Sequence, residues 1–132
     1  MTKYPFQLLS DEDLIIINAW IEGYKIRLAV DTAATHTTVD FNILLMLGYS
    51  EKDSTGAILI ETANGIMEVK KYLISDFRAL DKKKSDFEIV SYDFLEKGIL
   101  SMYDGVLGLD FLSQTVLTID FIKQEIWLNQ AK

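Results

Sequence analysis

The clearest candidate for chemistry in this sequence is Asp31, which directly follows the mostly apolar residues 26–30. The residues after it are small or carry a hydroxyl group: Thr32, Ala33, Ala34 and Thr35. Aspartate is uncommon inside strands, because its short side chain competes for nearby backbone hydrogen bonds. A carboxylate presented at a strand end can accept or donate a proton, as general acid–base catalysis requires. The alternative is an ordinary loop start, since Asp and Thr also favour turns.

A second specific pattern lies near the other end of the chain. Its residues are, in order, Gly105, Val106, Leu107, Gly108, Leu109, Asp110, Phe111 and Leu112. Two apolar residues and a glycine, followed by an aspartate that can cap a helix, predict a short strand that leads into a short helix.

A hairpin is predicted between these two segments. Residues 57–62 and 66–74 favour β-structure, and Ala63, Asn64 and Gly65 separate them. Asn-Gly at such a junction is typical of a tight turn, because both residues tolerate positive φ. An ordinary surface turn is the alternative to a functional role for the hairpin tip.

In this order and spacing, the three segments resemble the retroviral-like (retropepsin-type) aspartic protease family. The resemblance extends from about Leu14 to Leu128. It is closer to cellular and bacterial single-domain members than to viral ones, because the chain continues past Asp120. The resemblance implies an all-β fold, a closed acid-protease barrel with one lobe per chain, one or two short helices and a flap hairpin. The length of 132 residues agrees with a single domain over residues 1–132.

The resemblance also implies roles for individual residues. Asp31 is then the catalytic carboxylate, and Thr32 holds the catalytic loops together across a two-fold axis. The substrate-binding residues come from the loop and from the flap tip: Ala33, Ala34, Thr35, Ala63, Asn64 and Gly65. The residues that pack against the catalytic loop are Val106, Leu107 and Gly108. The alternatives are a β-favouring strand end for Thr32 and plain core packing for residues 106–108.

Peptide hydrolysis by this chemistry requires two carboxyl groups that hold one water molecule. Two carboxylates so close together share a proton, because both cannot stay charged at low cost. The chain has one Asp in the required setting. Asp104 precedes a glycine, Asp110 can cap a helix, and Asp120 lies in a strand without the small residues that follow Asp31. The resemblance therefore implies a homodimeric endopeptidase that acts on peptide or protein substrates without a cofactor.

One residue departs from the family pattern, because Ala33 occupies a position that is usually glycine. With a negative φ the cost of this change is small, and with a positive φ it is about 1 kcal/mol or more. Two functions therefore stay open: an active aspartic endopeptidase, or a catalytically silent domain of the same fold that dimerises or binds peptides. A third interpretation is an unrelated β-barrel with a coincidental Asp-Thr pair.

Composition excludes several other classes of function. A net charge of −7 argues against nucleic acid as a partner. A single histidine, His36, and no cysteine leave no zinc site, and the lack of cysteine fits a cytoplasmic protein. No apolar run is long enough for a membrane span or a signal peptide.

The remaining elements follow from hydrophobic patterns. Strands are predicted at 14–21, 24–30, 87–92, 105–107, 115–121 and 125–128. A short helix is predicted over 40–48, with Asp40 capping its start and Gly48 ending it. Residues 75–86, which include Lys82, Lys83 and Lys84, are predicted to form a solvated loop.

Overall fold

The structure, a computed structural model, describes residues 2–10, 13–99 and 102–130. The strands are β1 (Tyr4–Pro5), β2 (Ile16–Ile21), β3 (Tyr24–Val30), β4 (Thr38–Asp40), β5 (Gly56–Thr62), β6 (Gly65–Ala79), β7 (Lys82–Tyr92), β8 (Gly105–Leu107), β9 (Thr115–Asp120) and β10 (Glu125–Gln130). The helices are α1 (Phe41–Met46), α2 (Leu109–Leu112) and a 3₁₀ turn at Glu51–Asp53. The predicted all-β class with short helices is confirmed. None of the helices in the described ranges is long and apolar enough to cross a membrane.

Six strands close into a barrel in the order β2-β3-β8-β4-β7-β6, and the pairing of β2 with β6 completes the circle. Alternate residues of β2 and β3 point into the barrel, as their hydrophobic pattern predicts: Ile17, Ala19, Ile21, Ile26 and Leu28 are all buried. The turn between β2 and β3 uses Glu22 and Gly23, both with positive φ. These values fit a two-residue hairpin loop.

The hairpin of β5 and β6 projects from the barrel, because β5 pairs with β6 at the end of the sheet order. Thr62 lies opposite Gly65, so Ala63 and Asn64 form the two-residue turn. Gly65 has a φ of +116°, and the Thr62 hydroxyl accepts a hydrogen bond from the Asn64 amide at 3.2 Å. The predicted hairpin is present, but of the Asn-Gly pair only Gly65 takes a positive φ.

Helix α1 begins and ends as predicted. The Asp40 carboxylate accepts a hydrogen bond from the Asn42 amide at 3.2 Å, and Gly48 takes a φ of +97° just after the last turn. The helix therefore has a side-chain cap at its start and a left-handed glycine at its end.

The predicted loop at residues 75–86 is wrong, because β6 and β7 continue through it. They are joined by Leu80 and Asp81, with φ values of +51° and +64°. Ile74 and Phe77 of β6 are both buried although they are three residues apart, so the alternation of inward and outward side chains is interrupted between them. Asp86, in the neighbouring part of β7, takes a φ of +52°. This interruption hides the two-residue alternation that would have identified these strands.

The lysines of this segment are also not a solvated run. The ammonium groups of Lys82 and Lys84 each donate a hydrogen bond at 2.8 Å to α2, at the carbonyls of Phe111 and Asp110. Lys83, between them, is exposed. The β6–β7 hairpin therefore supports α2 through Lys82 and Lys84.

A second, three-stranded sheet has the order β1-β10-β9. Leu117 and Ile119 of β9 pack against the barrel core, opposite the buried Leu128 and Ile126 of β10. Buried Phe6, just after β1, completes this layer. The predicted closing hairpin of β9 and β10 is present.

Candidate active site

Asp31 is positioned by the parallel pairing of β3 with β8. Val30 lies opposite Leu107, and the Asp31 amide donates to the Leu107 carbonyl at 3.0 Å. One carboxylate oxygen, Oδ1, accepts a hydrogen bond from the Ala33 amide at 2.9 Å, and the Ala34 amide bonds the Asp31 carbonyl at 3.1 Å. These bonds fix the carboxyl group at the start of a tight loop, where it is half-buried.

Gly108 allows the backbone of α2 to approach this loop closely. A Cβ atom at Gly108 would lie 2.7 Å from the carbonyl carbon of His36 and 2.9 Å from the carbonyl oxygen of Ala34. Both neighbours are backbone atoms, so a larger residue would have to displace the loop itself. The Leu109 amide then donates to the Ala34 carbonyl at 2.8 Å. The structure thus brings residues 106–108 against the loop that carries Asp31.

Hydrogen bonds between Thr37 and Asp110, which we call the Thr37–Asp110 bridge, hold the loop at its C-terminal end. The sequence patterns did not predict this bridge. The Thr37 amide donates to both carboxylate oxygens of Asp110, at 3.0 and 2.9 Å, and the Thr37 hydroxyl donates to Oδ1 at 2.7 Å. The same hydroxyl accepts a hydrogen bond from the Gly108 amide at 3.1 Å. Asp110 therefore anchors Thr37, whereas Gly108 occupies the N-cap position that Asp110 was expected to take.

The only sequence clue to this bridge is that Asp110 lies two residues after Gly108. Any contact of Gly108 with the catalytic loop therefore carries Asp110 towards that loop. Thr37 itself is fully buried, so its polar groups require partners inside the protein.

A cleft of about 360 Å³ separates the catalytic loop from β5. The cleft is lined by Ala33, Ala34, Thr35, His36, Thr38, Leu59, Ile60 and Glu61. Three of the predicted substrate-binding residues, Ala33, Ala34 and Thr35, therefore line one cleft. The flap-tip residues Ala63, Asn64 and Gly65 are exposed and lie outside this lining.

The loop of residues 31–36 faces outwards. Thr32, Ala33 and Thr35 are exposed, whereas Thr37 and Thr38, which follow them, are buried. Ala33 does not have a positive φ, so its methyl group causes no left-handed strain at the position where the family usually has glycine. His36 follows Thr35 in the loop, and its Nδ1 lies 3.0 Å from the Thr35 hydroxyl oxygen.

The described part of the chain contains no group of three or more His, Cys, Asp or Glu side chains that could hold a metal ion. The loop presents the Asp31 carboxyl group near a cleft whose lining also includes the carboxylate of Glu61 and the imidazole of His36.

Comparison with known proteins agrees with this geometry. The sequence profile of the aspartyl protease family matches residues 17–111, which is more than two thirds of the chain. No curated protein matches the chain at a significant level. Among solved structures, the chain is similar to a retropepsin-like aspartic protease from Rickettsia conorii, with a TM-score of 0.65 and 18% sequence identity over 97% of this chain and 89% of that one. At this identity the likeness concerns the fold.

Proposed function

Because the chain belongs to the aspartyl protease family and has a retropepsin-like fold, we propose that it is an endopeptidase that is active as a homodimer. The observation that carries this proposal is the setting of Asp31. Its carboxyl group stands half-buried at a strand end, in an exposed loop beside a cleft. This loop supplies one carboxylate, and the same loop in a second copy of the chain supplies the other.

In the proposed reaction, one water molecule is held between Asp31 and Asp31 of the partner subunit. The charged carboxylate takes a proton from the water, whose oxygen forms a bond to the carbonyl carbon of the substrate. The protonated carboxyl group donates its proton to the carbonyl oxygen, which gives a neutral tetrahedral diol. One hydroxyl of the diol then returns a proton to the charged carboxylate, while the other carboxyl group donates its proton to the amide nitrogen as the C–N bond breaks.

The cleft suits an extended peptide. Its volume is in the range of protein ligand sites, and Ala33, Leu59 and Ile60 give it apolar walls. The edge of β5 away from β6 has no strand partner in the described ranges. A peptide that adds to this edge forms main-chain hydrogen bonds while its side chains alternate between cleft and solvent. This supports broad recognition of peptide or protein substrates with apolar side chains.

The test is cleavage of a denatured-protein peptide library between pH 4 and 7, read by mass spectrometry at high protein concentration. The wild type is compared with Asp31→Asn and with Asp86→Asn, an identical change at an exposed residue of β7. We expect cuts from the wild type and Asp86→Asn and none from Asp31→Asn. Cleavage that persists in Asp31→Asn contradicts the proposed mechanism.

The catalytically silent alternative depends on Ala33 disturbing the loop. The φ of Ala33 is not positive, so left-handed backbone strain gives no support to this alternative. A cytoplasmic location stays a proposal, which rests on the absence of cysteine from the sequence.

A further inference from the structure

A row of basic side chains crosses the outer face of the barrel. Trp20 of β2 lies opposite Lys25 of β3 on one side and opposite Arg78 of β6 on the other. Arg78 in turn lies opposite Lys83 of β7. Residues directly opposite each other in antiparallel strands share a face, and this face is the outer one, because Ala19 next to Trp20 is fully buried. We call these four residues the basic row: Lys25, Trp20, Arg78 and Lys83.

The cations of the basic row are accessible to a ligand. Lys25, Arg78 and Lys83 are exposed, and Trp20 is half-buried. Arg78 donates two hydrogen bonds to the carboxylate of Asp76, at 3.0 and 3.2 Å, which uses two of the five N–H groups of its guanidinium. Within the described ranges, neither lysine of the row makes an ion pair with an acidic side chain. One partly neutralised and two unneutralised cations therefore surround an aromatic ring.

A small cavity of about 270 Å³ adjoins the basic row. It is lined by Tyr4, Trp20, Arg78, Ala79, Asp81, Lys82 and Lys83. The carboxylate in this lining, that of Asp81, already accepts hydrogen bonds from the Tyr4 hydroxyl and the Thr2 amide. The cavity is slightly smaller than typical ligand pockets, so it suits a side chain of a larger partner.

The charge of the basic row is opposite to that of the chain as a whole, which has a net charge of −7. Complementary charges across an interface select a partner and speed its association. Three cations and one aromatic ring match a short acidic segment of a protein. Nucleic acid requires a larger cluster of lysine and arginine, because each phosphate contact uses one of them.

We propose that the basic row binds an acidic segment of a protein. Its Asp or Glu carboxylates contact Lys25, Arg78 and Lys83, and its apolar atoms lie on Trp20. In the proposed endopeptidase this protein is the substrate, and this part of the inference rests on the proposed function. The binding itself requires no catalysis.

The basic row lies outside the cleft. Lys25 precedes Asp31 by six residues, which corresponds to about 20 Å along a strand. An extended chain spans at most about 3.5 Å per residue, so a linker of about three residues cannot join the two places, whereas one of about fifteen can. A substrate therefore reaches both places only when a long enough linker separates its acidic segment from the bond that is cut.

The first test measures binding of a fluorescein-labelled, Glu-rich peptide of about ten residues by fluorescence anisotropy, at about 20 mM salt, where screening is weak. The protein carries Asp31→Asn, so that the peptide is not cut by the proposed mechanism. Lys25→Gln and Lys83→Gln are combined in one variant. The control variant combines Lys52→Gln and Lys97→Gln, two exposed lysines outside the row, and has the same net charge. We expect the first variant to bind at least about fivefold more weakly and the control to change by less than about twofold.

Equal weakening in both double variants, or no binding by the protein with its lysines intact, overturns the proposal. Tighter binding of a single-stranded oligonucleotide of the same charge also overturns it, because the partner is then not a protein segment. NMR gives a local measurement, since the chain has two tryptophans, Trp20 and Trp127. We expect the peptide to shift the indole N–H signal of Trp20 and not that of Trp127; the reverse result contradicts the location.

The second test uses the protein with Asp31 intact and three peptides that share one apolar cleavable segment. The first has no acidic tail, and the other two carry a Glu-rich tail on Gly-Ser linkers of about three and about fifteen residues. We expect the tail on the long linker alone to lower KM, about fivefold, with kcat unchanged, because it raises the local concentration of the cleavable segment. This advantage should disappear when Lys25→Gln and Lys83→Gln are combined.

These outcomes separate the two proposals. If the Asp31→Asn protein binds the acidic peptide through the basic row but the wild type cuts no peptide, the endopeptidase proposal fails and the binding site stands. If the wild type cuts all three peptides with equal KM, the endopeptidase proposal stands and the basic row is not a substrate site.

Discussion

The buried hydroxyl of Thr37 links the loop that carries Asp31 to Gly108 and Asp110 at the start of α2. Thr37→Val is therefore the most informative perturbation of the fold around the site. Valine has nearly the same shape but no hydroxyl group. The change removes the 2.7 Å bond to the Asp110 carboxylate and leaves the Gly108 amide without its acceptor. Both losses occur at a fully buried side chain.

The expected cost follows from these two losses. A hydrogen bond to a charged group contributes about 1.5–3 kcal/mol, and a buried donor left without a partner costs about 1–3 kcal/mol. Because the two losses share one hydroxyl and the loop can relax, we expect a decrease of about 3 kcal/mol in the free energy of unfolding. For an m value of about 2 kcal/mol/M, the urea midpoint falls by about 1.5 M.

The matched control is Thr38→Val. Thr38 is also buried, but its hydroxyl makes one weak bond, at 3.3 Å, to the His36 carbonyl. We expect its midpoint to fall by less than about 0.5 M. Both variants are made in an Asp31→Asn background, which prevents self-cleavage by the proposed mechanism, and are unfolded in urea at one fixed protein concentration. Equal shifts for Thr37→Val and Thr38→Val would refute the role of the bridge.

Three further predictions concern the loop, its support and the N-terminal strand. Ala33→Gly lowers the free energy of unfolding by about 0.4–1 kcal/mol through greater freedom of the unfolded chain, with no gain in peptide-cleavage rate. Lys84→Met removes a hydrogen bond to an α2 carbonyl and lowers the thermal midpoint, whereas exposed Lys83→Met does not. Hydrogen bonds from the Tyr4 hydroxyl and then from the Thr2 amide hold the pKa of Asp81 below its ordinary value. This stabilisation is present above about pH 4 and is lost as the pH falls through the lowered pKa; in Tyr4→Phe, NMR titration should show the pKa of Asp81 rising.

The hairpins of this fold could be predicted because their turns depend on residue type. Strands 24–30 and 105–107 coincide with their predicted bounds, and Gly23 and Asn64 mark two of the turns. The β6–β7 turn could not be predicted, because Leu80 takes a positive φ that its residue type disfavours. Its conformation is imposed by the pairing of two long strands, not by local preference.

The candidate site likewise has one part that could be predicted from the sequence and one part that could not. The loop from Asp31 to Thr35 could be identified because its residue types are unusual for a strand end. The Thr37–Asp110 bridge could not, since the two residues are 73 positions apart and each has an ordinary local explanation. Their meeting depends on the antiparallel pairing of β4 with β8, which places Thr38 opposite Val106 inside the closed barrel.

These contacts separate the folding of the site from its assembly. Leu107, Gly108 and Asp110 of the same chain supply hydrogen bonds that position the loop of residues 31–37. A single copy can therefore hold Asp31 in place before it meets a partner. What the partner adds in the proposed enzyme is the second carboxylate and cover for the exposed Thr32. Activity should then depend on protein concentration through dimerisation, while the secondary structure does not.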